Sequence, residues 1–213
     1  MNEARLWLER QQIEKAAQAL RKHGFNVTIV NTNEEAKSVV LEMIPTSARV
    51  GIPGTMTIRE LGLLGALESR GNPVIEHWVP GLTNEQDVAV RVQELTADVL
   101  LTSSNAVTLD GCLVNTDGCG NRVAAMIFGP RRVIVVAGAN KIVKDVPAAV
   151  SRIKNVVAPM NAHRLSSKVP CATSGICVDC DAPARICNVT TILERRPSRT
   201  QFDIILVAEH LGF

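Results

Sequence analysis

The sequence predicts an α/β protein built on an open, largely parallel sheet with helices on both faces. Three observations carry that reading. Short β-branched apolar runs alternate with amphipathic stretches of roughly 10–15 residues, the pattern of βαβ crossovers. Several of those stretches open with a Thr followed three residues later by Glu or Gln, the signature of a capped helix start. The 213 residues are 46% hydrophobic, enough for one sizeable core.

Residues 3 to 23 read as a first helix, with Leu6, Ile13, Ala17 and Leu20 on one face, basic residues in the last turn and Gly24 as the stop. Val27 to Val30 form a strand. Thr32 and Glu35 cap a second helix, which carries Ala36, Val39, Val40 and Met43 inward as far as Pro45. Arg49 to Ile52 make a strand before a helix opened by Thr57 and Glu60 and ended by Gly71. Val74 and Ile75 precede another, opened by Thr83 and Gln86, with Val88, Val92 and Leu95 along its buried face. Val99 to Thr102 is then a buried strand.

From Ser103 the grammar changes. Two apolar runs flank Asp110-Gly111, the dipeptide of a type I′ hairpin, so the sheet is expected to become mixed here. A short helix at 123–128, a fully buried strand at 133–137 and a helix capped by Asp145 follow, the last turning Val146, Val150 and Ile153 inward. Phe202 to Ala208 supplies the closing core strand. We expect one domain over 1–213, with residues 159–200 as a cysteine-rich excursion before that strand.

The totals exclude some functions. With 23 basic and 21 acidic residues the net charge is +2, too weak a field to argue for nucleic acid or an anionic membrane. The N-terminus carries charges where a secretory signal needs an apolar run, and no stretch reads as a membrane span, so a cytoplasmic location is expected. In a reducing compartment cysteines point to metal or catalysis rather than disulfides.

That directs attention to Cys171, Cys177, Cys180 and Cys187, spaced C-x5-C-x2-C-x6-C. Four thiolates fill the tetrahedral shell of one zinc ion or the four corners of one iron–sulfur cluster. Residues 159–200 hold six basic side chains (Arg164, Lys168, Arg185, Arg195, Arg196, Arg199) against three acidic (Asp179, Asp181, Glu194). That excess favours an anionic 4Fe-4S cluster over structural zinc, with unliganded thiols or a redox pair as the third reading. Cys112 and Cys119 read as small buried hydrophobes.

Two further sites are expected. Gly51, Gly54, Thr55, Thr57 and Arg59 lie on a strand–turn–helix junction whose amides, hydroxyls and cation suit a phosphate or carboxylate. Asn105, Asp110, Asn115, Asn121 and Arg122 crowd a glycine-rich stretch, and Lys141 follows a buried strand, where open α/β sheets place their ligand crevice. Asp110 and Asp117 also serve simply as turn formers. The histidines, His23, His77, His163 and His210, occupy unrelated contexts and read as surface or helix-end residues.

With these residues assembled, the chain resembles the LUD family of lactate-utilisation proteins. The resemblance rests on G-I-P-G-T-M-T-I-R-E-L-G-L (51–63), T-L-D-G-C-L-V-N-T-D-G-C-G-N-R-V-A (108–124), V-A-G-A-N-K-I-V (136–143), P-M-N-A-H-R-L (159–165) and the cysteine tail at 170–188, which looks like that of stand-alone members with four cysteines. It implies a fold related to the sugar-phosphate isomerase and coenzyme A transferase superfamily. It also implies a part in iron–sulfur L-lactate oxidation beside iron–sulfur or flavin partner proteins. The tandem ferredoxin motifs of the larger LUD subunit are missing, and no residue, Glu60 included, matches the transferases' catalytic glutamate.

The resulting expectation is an iron–sulfur LUD protein, a homo-oligomer, acting on lactate or a related small anionic organic acid, with Arg59, Arg122 and Lys141 as carboxylate or phosphate anchors. The alternatives are an isomerase or acyltransferase on a phosphorylated or coenzyme A-linked substrate with structural zinc, using Asp110, Asp117 or Lys141 as base, and a non-catalytic redox sensor.

Overall fold

The computed structural model describes residues 3–213. Its first half alternates as expected: α1 (Glu3–Lys22), β1 (Asn26–Val30), α2 (Asn33–Met43), β2 (Val50–Gly51), α3 (Met56–Glu60), α4 (Leu63–Ser69), β3 (Val74–Ile75), α5 (Asn84–Leu95) and β4 (Val99–Thr102). The second half contains β5 (Ala106–Thr108), β6 (Leu113–Asp117), α6 (Asn121–Ile127), β7 (Arg132–Gly138), β8 (Ile142–Val143) and α7 (Val146–Arg152). A π-helical stretch, Ile153–Val157, joins α7 to α8 (Ala158–Arg164), and α9 (Pro170–Ser174), β9 (Val189–Leu193) and β10 (Gln201–Val207) complete the chain.

Six strands form the main sheet in the order β1-β10-β7-β4-β2-β3, every neighbouring pair parallel and the sheet open. Its central strands are buried on both faces, which is why they read as unbroken apolar runs. In β7, Val133, Val135 and Ala137 join a core with Ile13, Ala17 and Leu20 of α1. Ile134 and Val136 face the opposite core, closed by Ala36 and Val40 of α2 and by Ile58, Leu63 and Leu67 of α3 and α4.

The hairpin does not mix into this sheet. It founds a second, four-stranded sheet in the order β8-β5-β6-β9, which lays Val107, Leu113 and Leu193 against the α1 side of the main core. Its other face, with Ala106 and Val114, is covered by Ala149 of α7 and by Ile153. The turn is not type I′, which needs positive φ at both central residues. Gly111 alone of the pair has it, at φ 90°; Gly111 N donates to Thr108 O at 3.0 Å and Thr108 N to Cys112 O at 2.9 Å, so the loop is three residues long and ends in a left-handed glycine. A Cβ there would lie 2.7 Å from the Ala19 backbone, so the hairpin tip is pressed onto α1.

Two helix starts also differ in detail. Thr83 and Gln86 form the full reciprocal cap, and Thr32 accepts from Glu35 N. Thr57 caps nothing, because its hydroxyl lies one residue inside α3 and accepts a hydrogen bond from Lys141. In α5 Leu95 packs on the α1-side core as expected, but the other two residues of the expected face turn outward. Val88 and Val92 are 59% and 53% exposed, while Glu94 is 1% exposed.

Candidate functional site

The segments that leave the carboxyl ends of β2, β3, β4 and β7 converge on one cleft of about 420 Å³, where a parallel sheet gathers its ligand groups. After β2 the chain turns at Gly54 (φ 57°), where a Cβ would meet the Trp78 indole at 2.6 Å, and delivers Thr55 and Thr57 to the lining. β4 delivers Ser103 and Ser104. A 3-10 turn after β7 delivers Lys141.

Lys141 is 4% exposed, and its Nζ donates to Thr57 Oγ1 at 2.8 Å and Ser103 Oγ at 3.0 Å. Burial, reinforced by the nearby Arg152 and Arg122 cations, pushes its pKa down to about 7. Arg164, on α8, donates to Asn161 Oδ1 at 2.7 Å and lies 4.3 Å over the Trp78 ring, which Arg59 also approaches at 4.5 Å. Burial and the Arg59 charge both lower the Arg164 pKa. Among the described residues, Lys141 and Arg164 are the cations of the lining without a carboxylate partner, since Arg91 pairs with Asp87 and Arg122 with Asp117.

Arg122 is a strut. Its donors reach Asp117 Oδ1 at 2.6 Å, Asn115 Oδ1 at 2.6 Å, Asn105 Oδ1 at 3.0 Å and the carbonyls of Ser103 and Thr116, locking the hairpin to the end of β4. Across the cleft, the His77 ring bonds through Nδ1 to Glu94 Oε1 at 2.7 Å. Glu94 Oε2 accepts from Asn121 Nδ2 at 3.1 Å, and Asn121 Oδ1 accepts from Arg91.

Beside this cleft is a second cavity, of about 340 Å³, and Cys171, Cys177, Cys180 and Cys187 all line it. None of the four is in a disulfide. Burial raises the Cys171 pKa, and the other three thiols add to the rise. Arg185 fixes the loop by donating to the carbonyls of Cys180 (2.6 Å) and Cys187 (3.1 Å) and to Asp179 (2.9 Å). Among the described residues no three His, Cys, Asp or Glu side chains converge on a single-ion position. The four residues share the lining of one cavity, and four thiolates are a donor set that iron–sulfur clusters take. Cys187 belongs to both cavities, as do Thr116, Ile153 and Ala158.

The sequence matches the LUD domain over residues 13–207. The chain belongs to the LUD-domain family. The crystal structure of a DUF162 family protein from Deinococcus radiodurans superposes on it with a TM-score of 0.54 at 15% identity, covering 93% of this chain and 98% of that one. At that identity the likeness speaks for the α/β fold. No curated protein matches the chain.

In this LUD protein the two stretches read as separate sites open onto one cleft. Gly54, Thr55, Thr57, Asn105, Asn121, Arg122 and Lys141 line the cleft, and Asn115 holds Arg122 from behind. Gly51 packs on Glu94 and Ala97 outside the lining, and Arg59 stands behind Trp78, paired to Glu76 at 2.6 Å. Asp110 lies at the hairpin tip, where it accepts from Thr108 Oγ1. Cys112 is buried as expected, but Cys119 is exposed and lines the cleft. His77, Glu94, Trp78 and Arg164 escaped the sequence reading. The signal for His77 and Glu94 was a charged stripe, Asp87-Arg91-Glu94, at helical spacing on α5.

No helix among the described residues is long and apolar enough to cross a membrane.

Proposed function

We propose that this LUD protein holds a 4Fe-4S cluster through Cys171, Cys177, Cys180 and Cys187. In the adjoining cleft it binds a small 2-hydroxy or 2-oxo acid, and it serves as one component of a redox system for lactate or a related acid. The observation that carries the reading is the shared wall: Cys187, with Thr116, Ile153 and Ala158, lines both the four-cysteine cavity and a cleft whose lining includes two cations without carboxylate partners. A cluster bound there supplies one-electron transfer at a potential set by its surroundings.

The chain's own residues divide the remaining work. Lys141 and Arg164 take the carboxylate, since a desolvated cation without a counter-ion is stabilised by an anionic ligand. Thr55 and Ser103 offer hydroxyls to the ligand's oxygens, and Arg122 with Asn105 and Asn115 keeps the β4 end rigid. Trp78, stacked on Arg59 and Arg164, closes one side. Ile176 and Val178, 65% and 62% exposed beside the cysteines, give an iron–sulfur or flavin partner an apolar surface on which to dock.

The test is iron, zinc and sulfide analysis with an absorption spectrum on protein purified without oxygen. The expected result is about four iron and four sulfide per chain with a broad visible band, lost in Cys177→Ala. One zinc per chain and no colour would overturn the cluster assignment.

A further inference from the structure

The network across α5 does something the binding of an anion does not require. A buried carboxylate costs several kcal/mol unless it is paired and hydrogen-bonded. α5 nevertheless turns Glu94 inward, at 1% exposure, and leaves Val88 and Val92 to solvent. Both Glu94 oxygens are engaged, Oε1 by His77 Nδ1 at 2.7 Å and Oε2 by Asn121 Nδ2 at 3.1 Å. Asn121 is in turn held by Arg91, whose guanidinium makes a two-pronged contact to Asp87 at 2.6 and 3.0 Å. The position of the carboxylate, and with it the orientation of the imidazole, is therefore over-determined.

The chemistry of the pair follows from the donor inventory. A carboxylate only accepts, so it takes the hydrogen bond from Nδ1–H of His77, and a neutral imidazole held that way has its lone pair on Nε2. Among the described residues Nε2 has no protein partner, and it is not among the polar atoms sealed from solvent, while the ring is part of the cleft wall. A base with one nitrogen fixed on a buried acid and the other free at a ligand cleft is the arrangement of general acid–base catalysis.

We propose that His77 is a catalytic base of this cleft, with Glu94 as its positioning residue, and that the pair enolises a bound 2-oxo acid. The inference rests on the reading of the cleft as an organic-acid site and is independent of the cluster. Nε2 takes a proton from the carbon next to the ligand's carbonyl. The C–H electron pair becomes the new C=C bond, and the carbonyl π pair moves onto oxygen, where the positive charge of the cleft meets it. Reversal returns a proton from the imidazolium to carbon. No electrons leave the ligand and no co-reactant is needed.

In D2O the reversal delivers deuterium, so the test is proton NMR of pyruvate incubated with the full chain, with pyruvate affinity measured in parallel by calorimetry. The expected result is catalytic loss of the methyl proton signal. His77→Gln brings the exchange to the buffer rate, and Glu94→Gln, which keeps a hydrogen-bonding group of the same size, slows it on the order of 10²-fold. Exchange is compared at pyruvate saturation of each variant, so that a change in affinity is separated from a change in rate. L-lactate, whose C2–H is not acidic, binds without exchange. If the pair is only a staple between α5 and the loop after β3, the variants lower the melting temperature but leave exchange unchanged, and that result overturns the proposal. Pyruvate that binds while its methyl protons persist also overturns it, alone. Pyruvate that does not bind overturns it together with the organic-acid reading.

Discussion

Lys141 shows what a single buried amine contributes to the cleft. Its folded pKa of about 7 lies well below the ordinary lysine value of about 10.4. Between those values the unfolded chain binds the extra proton, so the burial penalty is fully present below about pH 7 and stability rises with pH across that window. A bound anion favours the ammonium form, which gives the opposite trend for affinity. The dissociation constant for pyruvate or L-lactate is expected to be lowest at or below pH 7 and to rise above it, by at most about tenfold per pH unit. Calorimetric titrations between pH 6 and 9 check this, and Lys141→Met should weaken binding and flatten the profile. The cysteines were legible in the sequence because four thiols in one short segment carry their own chemistry. His77 was not, because the carboxylate that gives it a role lies on a different element, 17 residues away.

Helix α5 makes the same point one level up. Its periodicity is helical as expected and its Thr83–Gln86 cap forms in full, but periodicity alone does not say which stripe faces inward. Val88 and Val92 face solvent, while Glu94 is buried and Asp87 and Arg91 lie half-buried in the wall of a polar cleft. The energetic consequences are opposite to those a hydrophobic reading implies. Val88→Gln with Val92→Gln should change unfolding free energy by less than about 0.5 kcal/mol per site. Glu94→Ala, which leaves His77 Nδ1–H and Asn121 Nδ2 without their acceptor, should lower it by about 1–3 kcal/mol for each donor left unpaired, read in urea melts. The hairpin was legible as two strands and a glycine turn, but its destination was not. Its partner β9 is more than 70 residues away in sequence, and no local pattern encodes that pairing.

At the scale of the whole molecule, the parallel sheet explains the geography of the site. Strands buried on both faces were readable as apolar runs, and their parallel order puts the segments after β2, β3, β4 and β7 at one end. The cysteine segment returns to the same end because β9 pairs antiparallel with β6, whose Asp117 end faces Val189 just after Cys187. Two cavities are thereby placed side by side with Cys187 between them. The central claim is that a cluster and an organic-acid site adjoin through that residue. The direct measurement is the electron paramagnetic resonance spectrum of the reduced, anaerobically purified protein, titrated with pyruvate and L-lactate while binding is followed by calorimetry. A ligand against the wall that Cys187 provides should shift the cluster's signal in step with saturation. Saturation of the cleft with no change in the signal would contradict the account.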